Sequence, residues 1–305
     1  MIRIGTREIG DGAPCWVIAE LGINHSGDLA TALRMIEAAK EAGADIVKFQ
    51  KRTVELAVPR DQWDVPRETP WGGVMPYIDY KRRLEFGRAE YDAIDRHCRL
   101  FNIPWFASAW DPPSVEFLLN YDLPAIKIPS ACVTDLELLQ AARTTGLPVV
   151  MSTGMSTAAE VTRAVAQVTL TGEEFHYPSG SVQRRDWSRL VLLHCRSTYP
   201  AAYGELNLAA IRTLADEYPV PVGFSDHATG LWMSLCAVAL GACVIERHFT
   251  LDRSSWGTDQ AASVEPRGLA QLVRQIRNFE QARGDGRIGP TASEAPVRAK
   301  LRRIP

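Results

Sequence analysis

Eight short apolar runs recur along the chain, at residues 16–19, 45–49, 104–107, 125–128, 148–151, 190–193, 220–224 and 243–245. Each reads as a strand, rich in Val, Ile and Phe. Amphipathic segments alternate with them at 28–42, 89–101, 113–121, 135–145, 158–168, 208–218 and 231–240. A last one, 266–283, sets Leu269, Leu272, Val273, Ile276 and Phe279 at helical spacing. Eight strand–helix units predict a (β/α)8 TIM barrel over residues 1–284, followed by a tail at 285–305. A doubly wound open sheet is the rival. It would carry a Gly-rich dinucleotide turn after the first strand, and Gly22-Ile23-Asn24-His25 is not one.

Local signals place the breaks. Asp28 and Ser156 are expected as N-caps, and Gly43, Gly146 and Gly284 as the residues that end helices. Residues 2–14 read as a β-hairpin with Gly10-Asp11-Gly12 at its tip, placed to plug the bottom of the barrel. The two long insertions are 51–81 and 170–187. The first follows the second strand on the catalytic face, and its Trp63, Trp71 and Tyr77 suit a substrate wall. The second lies on the opposite face, where a loop is expected to be structural.

Composition narrows the function classes. A formal net charge of −2 gives no bulk field toward nucleic acid or membrane. No apolar run is long enough to span a bilayer, and residues 1–5 lack a signal-peptide core. The six cysteines show no CxxC spacing, which points to buried, reduced thiols in a cytoplasmic enzyme.

Chemistry in a barrel is staged at the C-terminal ends of its strands. Those positions carry Glu20, Lys48, Gln50, Ser108, Lys127, Ser130, Ser152, Ser225, His227, Glu246 and His248. His227 and His248 end consecutive strands. They can grip one divalent ion, or they can simply bond to backbone at loop junctions. Lys48 and Lys127 sit within apolar strand runs, where an unpaired ammonium is expensive. They can pair with Glu20 or Glu246, or hold an anion together with the serines, and the serines favour the anion. Glu246 is expected to point away from the face used by His248.

Read in order, these motifs resemble the sialic acid synthase (N-acetylneuraminate synthase) family. The resemblance rests on Ala19-Glu20-Leu21-Gly22-Ile23-Asn24-His25, Val47-Lys48-Phe49-Gln50, Lys127-Ile128-Pro129-Ser130, Ser152-Thr153-Gly154-Met155, Leu193-His194-Cys195 with Tyr199-Pro200, Ser225-Asp226-His227 and Glu246-Arg247-His248. It covers roughly residues 15–285. The resemblance implies a (β/α)8 barrel that condenses phosphoenolpyruvate with an open-chain aldose or N-acyl amino sugar and releases phosphate. It implies phosphoenolpyruvate on Lys48, Lys127, Ser130, Ser152 and Ser225. It puts a divalent metal, typically Mn²⁺ with Mg²⁺ or Co²⁺ as alternatives, on His227 and His248. Glu20 would handle the attacking water, Gln50, Tyr199 and Asp259 would contact the sugar, and the protein would be a homodimer.

Several positions depart from the family pattern. Gly-Ser-Gly-Glu after the fourth-strand lysine is Pro129-Ser130-Ala131-Cys132 here, so a carboxylate is gone. Ser-Thr-Pro after strand three is Ser108-Ala109-Trp110, and the asparagine of the Tyr-Pro loop is Ser197. The family's C-terminal antifreeze-like domain, which supplies an arginine to the sugar, is expected to be missing. The expected replacements are the 51–81 insertion and the tail arginines Arg287, Arg298, Arg302 and Arg303, with an acceptor other or broader than N-acetylmannosamine. Two further readings stay open: a pyruvate-dependent lyase forming a Schiff base on Lys127, and a non-catalytic sugar-binding homologue.

Overall fold

The structure, a computed structural model, describes residues 1–177 and 180–304. Eight parallel strands close into a barrel: β1 (Trp16–Gly22), β2 (Ile46–Lys51), β3 (Trp105–Ala109), β4 (Ile126–Ile128), β5 (Val149–Ser152), β6 (Leu190–Cys195), β7 (Val222–Asp226) and β8 (Val244–His248). One main helix follows each strand, apart from shorter ones in the insertion after β2: α1 (Leu29–Glu41), α2 (Arg88–Leu100), α3 (Pro112–Leu118), α4 (Leu136–Thr144), α5 (Ala158–Thr169), α6 (Ala210–Glu217), α7 (Trp232–Ala239) and α8 (Pro266–Ala282). β8 pairs with β1, setting His248 opposite Glu20, and β1 sets Glu20 opposite Lys48. The predicted barrel is therefore the observed one.

Alternation along each strand sorts residues between two cores. One parity faces outward. Val17, Ala19, Val47 and Phe49 pack there against Met35, Ile36, Leu138, Val161, Leu272 and Ile276 of the helices. The other parity faces the barrel axis and changes character with height. Trp16, Ile18, Ile46, Phe106, Val150, Val191, Leu193 and Val244 form an apolar lower layer. One step further along, the same faces present Glu20, Lys48, Ser108, Lys127, Ser152 and Glu246. The site is thus the top layer of the barrel's own interior.

The hairpin pairs Ile2–Ile4 with Arg7–Ile9, and Ile2, Ile4 and Ile9 join the lower apolar layer, so it does plug the bottom. Its tip is Gly5-Thr6, not Gly10-Asp11-Gly12. Ile4 pairs with Arg7, which leaves a two-residue turn, and Gly5 takes the left-handed φ of 58°. Asp28 caps α1 as expected. The cap of α5 is Thr157 rather than Ser156, because Glu160 lies three residues on and completes a capping box. The Ser156 hydroxyl instead donates to the Gly154 carbonyl at 3.3 Å.

The 51–81 insertion builds a short helix (Val54–Ala57), a two-stranded pair (Pro66–Glu68 with Val74–Pro76) and the start of a helix (Tyr77–Leu84). Trp63 and Tyr77 pack against its own small core of Val54, Val58 and Ile78. The 170–187 insertion is an antiparallel pair, Leu170–Tyr177 with Gly180–Arg185. Beyond α8 the chain is exposed and carries one short helix, Ala295–Leu301. Among the described residues no helix is long and apolar enough to cross a membrane.

Candidate active site

A cavity of about 200 Å³ opens at the C-terminal ends of the strands. Glu20, Lys48, Lys127, Ser130, Ser152, Ser225, His227 and His248 all line it, as does Gln50. Six strands far apart in sequence, β1, β2, β4, β5, β7 and β8, with the loops directly after them, thus deliver these residues to one place. The expectation that Glu246 points away from His248 is overturned, since Glu246 lines the same cavity. Side chains alternate with period two, so positions 246 and 248 share a face.

Glu246 is in fact the hub. It accepts from Ser225 Oγ at 2.9 Å, and its carboxylate lies 3.4 Å from Lys127 Nζ and 3.6 Å from Lys48 Nζ. Lys48 Nζ makes its closer contact to Glu20 Oε2 at 2.8 Å and donates to Ser108 Oγ at 2.9 Å. Lys127 Nζ donates to Ser152 Oγ at 2.6 Å. The lysines are therefore paired internally, which corrects the picture of ammoniums left for a ligand alone. The low-dielectric barrel requires that pairing whenever no ligand is bound. Burial would lower the pKa of Lys48, but Glu20 and Glu246 outweigh it and raise the value. For Lys127 burial wins and the value falls, despite Glu246. Burial would raise Glu246, but Lys127 and Lys48 together hold it below the usual carboxylate range.

The two histidines stand side by side, with ring centroids 5.4 Å apart. Nδ1 of His227 meets the Arg196 carbonyl and so carries the proton, which leaves Nε2 with its lone pair. Nδ1 of His248 is buried without a hydrogen-bond partner, 3.8 Å from Asp259 Oδ2. Burial, and then His248, bring the pKa of His227 down to about 3, so it stays neutral at pH 7. Neutral imidazoles with a free nitrogen are what a divalent ion needs. Among the described residues no group of three or more His, Cys, Asp or Glu is placed to hold an ion. Two protein donors would leave most positions of a bound ion open, so the pair does not make a closed structural site.

The remaining expected residues divide. Gln50 donates to Glu20 Oε1 at 2.9 Å and accepts from Arg52, so its amide orients the carboxylate. Gly22 allows that approach, because a Cβ there would lie 3.1 Å from Glu20 Oε1 at a φ of 53°. Tyr199 covers His227, with centroids 4.2 Å apart, at the cavity's edge. Asp259 flanks His248 but does not line the cavity. The walls at the mouth are Trp110, Ala131, Met155 and Tyr199. Trp63, Trp71 and Tyr77 are absent from them, which corrects the role expected of these aromatics. The tail arginines are exposed and also absent. Sequence reasoning missed Glu246 as the hub and Ser108 as a partner of Lys48. Correct alternation back from His248 marks the first, and the pairing of β3 with β2 marks the second.

Behind the site, His25 stacks on Phe86 at 4.0 Å and accepts from the Gly27 N–H through Nδ1. Burial lowers its pKa to about 3. The unfolded chain binds this proton below about pH 6.5 and the folded chain does not until about pH 3. The neutral ring's contribution is thus whole above pH 6.5 and is lost as pH falls toward 3. Between pH 7 and pH 5 the His25 share of the loss is about 2 kcal/mol. Urea titrations at the two pH values should show a smaller fall in His25→Gln than in the parent, and equal falls would remove His25 from the acid response.

A closed (β/α)8 barrel with ion-paired lysines and paired imidazoles at its C-terminal mouth has the layout of a barrel enzyme, whose chemistry sits at that face. Comparison with known proteins narrows it. Residues 35–288 match the NeuB family, and the chain belongs to that family. It is 36% identical to N,N'-diacetyllegionaminic acid synthase of Legionella pneumophila over 98% of this chain and 82% of that protein. It is 37% identical to N-acetylneuraminate-9-phosphate synthase of Homo sapiens, over 91% of this chain and 74% of that one. A crystal structure of N-acetylneuraminic acid synthetase from Leptospira borgpetersenii, in complex with citrate, superposes with a TM-score of 0.83. It is 34% identical and covers 99% of this chain and 98% of that one.

Proposed function

We propose that this chain condenses phosphoenolpyruvate with an open-chain aldose or N-acyl amino sugar, giving a 2-keto-3-deoxy sugar acid and phosphate. The observation that carries the reading is the quartet Glu20–Lys48–Glu246–Lys127 set beside the imidazoles of His227 and His248 in one cavity. At about 200 Å³ the cavity is below the ~300–1,000 Å³ usual for drug-sized ligands, so it suits the three-carbon partner, with the sugar at the mouth.

On this reading Lys48, Lys127, Ser130, Ser152 and Ser225 hold the phosphate and carboxylate of phosphoenolpyruvate. Its carbon 3 bonds to the aldehyde carbon, the carbonyl π pair moves to the aldehyde oxygen, which takes up a proton and becomes a hydroxyl, and water adds at carbon 2. The C–O bond to phosphate then breaks and the electron pair leaves with phosphate. Glu20, fixed by Gln50 and Lys48, takes the proton of that water. His227 and His248 would hold a divalent metal, expected to be Mn²⁺, whose contribution is Lewis acidity toward the aldehyde oxygen. Tyr199 and Trp110 shield the reacting end from bulk water.

Phosphate release from phosphoenolpyruvate, measured with Mn²⁺ across a panel of aldoses and N-acyl hexosamines, tests the reading. Activity should vanish after EDTA treatment and return with Mn²⁺. Release without any aldose, or full activity after stripping, would contradict it. One observation favours a second reading: the lowered pKa of Lys127 suits a Schiff-base lysine. Trapping by borohydride with pyruvate would reveal it as a covalent adduct on Lys127.

A further inference from the structure

Behind the two imidazoles lies a buried ion pair that the chemistry above does not use. Ser225, His227, Glu246 and His248 face the cavity, whereas Phe224 and Ile245 pack outward against the helices. By alternation Asp226 and Arg247 share that outward face, under α7. Each is 1% exposed, and Ser234 in the first turn of α7 is fully buried. Arg247 Nη1 lies 2.6 Å from Asp226 Oδ2, and Ser234 Oγ donates to the same oxygen at 2.6 Å. Asp226 Oδ1 accepts from the Ala228 N–H at 2.9 Å, and Arg247 Nη2 donates to the Ala228 carbonyl at 2.9 Å.

Such a pair is a poor source of stability. Desolvation of two buried charges largely cancels their attraction, and well-packed apolar residues are commonly as stable. Arg247 Nε is also buried without a hydrogen-bond partner, which adds to the cost. What the pair supplies is geometry. The β7–β8 register runs Phe224–Ile245, Ser225–Glu246, Asp226–Arg247 and ends there. His227 is the next residue beyond β7, and His248 ends β8. Past the last register pair, the Ala228 N–H goes to Asp226 and its carbonyl to Arg247. Side chains thus continue the β7–β8 connection where the backbone stops, and they hold His227 between two fixed neighbours.

We propose that Asp226 and Arg247 are positioning residues, whose buried pair sets the spacing of the His227 and His248 rings and so their affinity for a divalent ion. The proposal rests on the metal part of the condensation reading. Imidazole–metal bonds of about 2 Å tolerate an error of only about 0.2 Å, so a small slip of one strand end weakens the grip.

The test compares Mn²⁺ binding by the substrate-free protein, followed by the electron paramagnetic resonance of the free ion, with urea unfolding. Asp226→Asn combined with Arg247→Met removes both charges and leaves neither buried alone. This double variant should unfold near the parent midpoint yet bind Mn²⁺ about 10–100-fold more weakly, the usual loss when support of a metal ligand is removed. Arg247→Lys keeps the charge but not the fork that spans Asp226 and Ala228, and should lose affinity in the same range. Ser234→Ala loosens α7 and leaves that fork in place, so it should lower the midpoint and spare Mn²⁺ affinity. Parental affinity in the double variant, or affinity that merely follows stability across the three variants, overturns the proposal. If the double variant does not fold, Arg247→Lys against Ser234→Ala decides. If the parent binds no Mn²⁺, the metal reading fails, and crystal structures of the ion-free parent and Arg247→Lys decide positioning by themselves. Rings 5.4 Å apart in the parent and displaced by about 0.5 Å or more in the variant support it, and coincident rings overturn it.

Discussion

Lys127→Met is expected to weaken phosphoenolpyruvate binding by roughly 2–4 kcal/mol, the cost of removing one partner of a buried charged pair. Lys48→Met should act in the same range. The losses have two sources, which a second substitution separates. Each lysine offsets a buried carboxylate, so each single variant also leaves Glu246 short of countercharge and should destabilise the fold. Pairing Lys127→Met with Glu246→Gln should restore much of the stability and none of the affinity. Equilibrium binding and urea unfolding of the three proteins provide the check. Unaltered affinity in both lysine variants would place the anion elsewhere.

Glu20→Gln should lose turnover by about 10²-fold or more, the usual scale for a general acid–base group, with little change in phosphoenolpyruvate affinity. Geometry makes the change nearly isosteric. The new amide oxygen can accept from only one of the two donors, Lys48 or Gln50, and its NH2 faces the other, while Lys48 keeps Glu246 as a counterion. Single-turnover phosphate release at saturating substrates isolates the step. Near-parental rates would reduce Glu20 to an ion-pair partner of Lys48.

The sequence carried the helices and the count of strands well, and it cut strands short at their C-terminal ends. The reading stopped at Ala19, Phe49, Ala107 and Ile245, yet the ladders run on to Gly22, Lys51, Ala109 and His248. The apolar signal fades where the interior face turns polar, which is where the site begins. Glu246 was legible as a possible partner of the lysines but was set on the wrong face, and its role depends on two lysines far upstream, Lys127 and Lys48, a closeness that only barrel closure creates. Motif order brought the residues to one cavity without their partners. The aromatic residues of the insertion were legible as aromatic but not as its private core, because composition does not say which neighbour a ring will find.

Closure also bears on how the protein comes to be made. Glu246 lies on the last strand, and β8 joins the ladder at β1, far upstream in the chain. During synthesis Lys48 and Lys127 emerge well before their shared counterion. A nascent chain carrying β1 to β7 holds two ammoniums facing a half-built interior with only Glu20 to balance them. Loop-closure entropy grows slowly with length, so the long wait costs little in itself. The unbalanced charge weighs more heavily, and it disfavours premature collapse of the partial barrel. Docking of the final strand then completes the hydrogen-bond ladder and neutralises the interior in one event. Ribosome-bound chains arrested before residue 244 should therefore remain protease-sensitive across the whole barrel, and release should convert them to the resistant form without a stable half-barrel between.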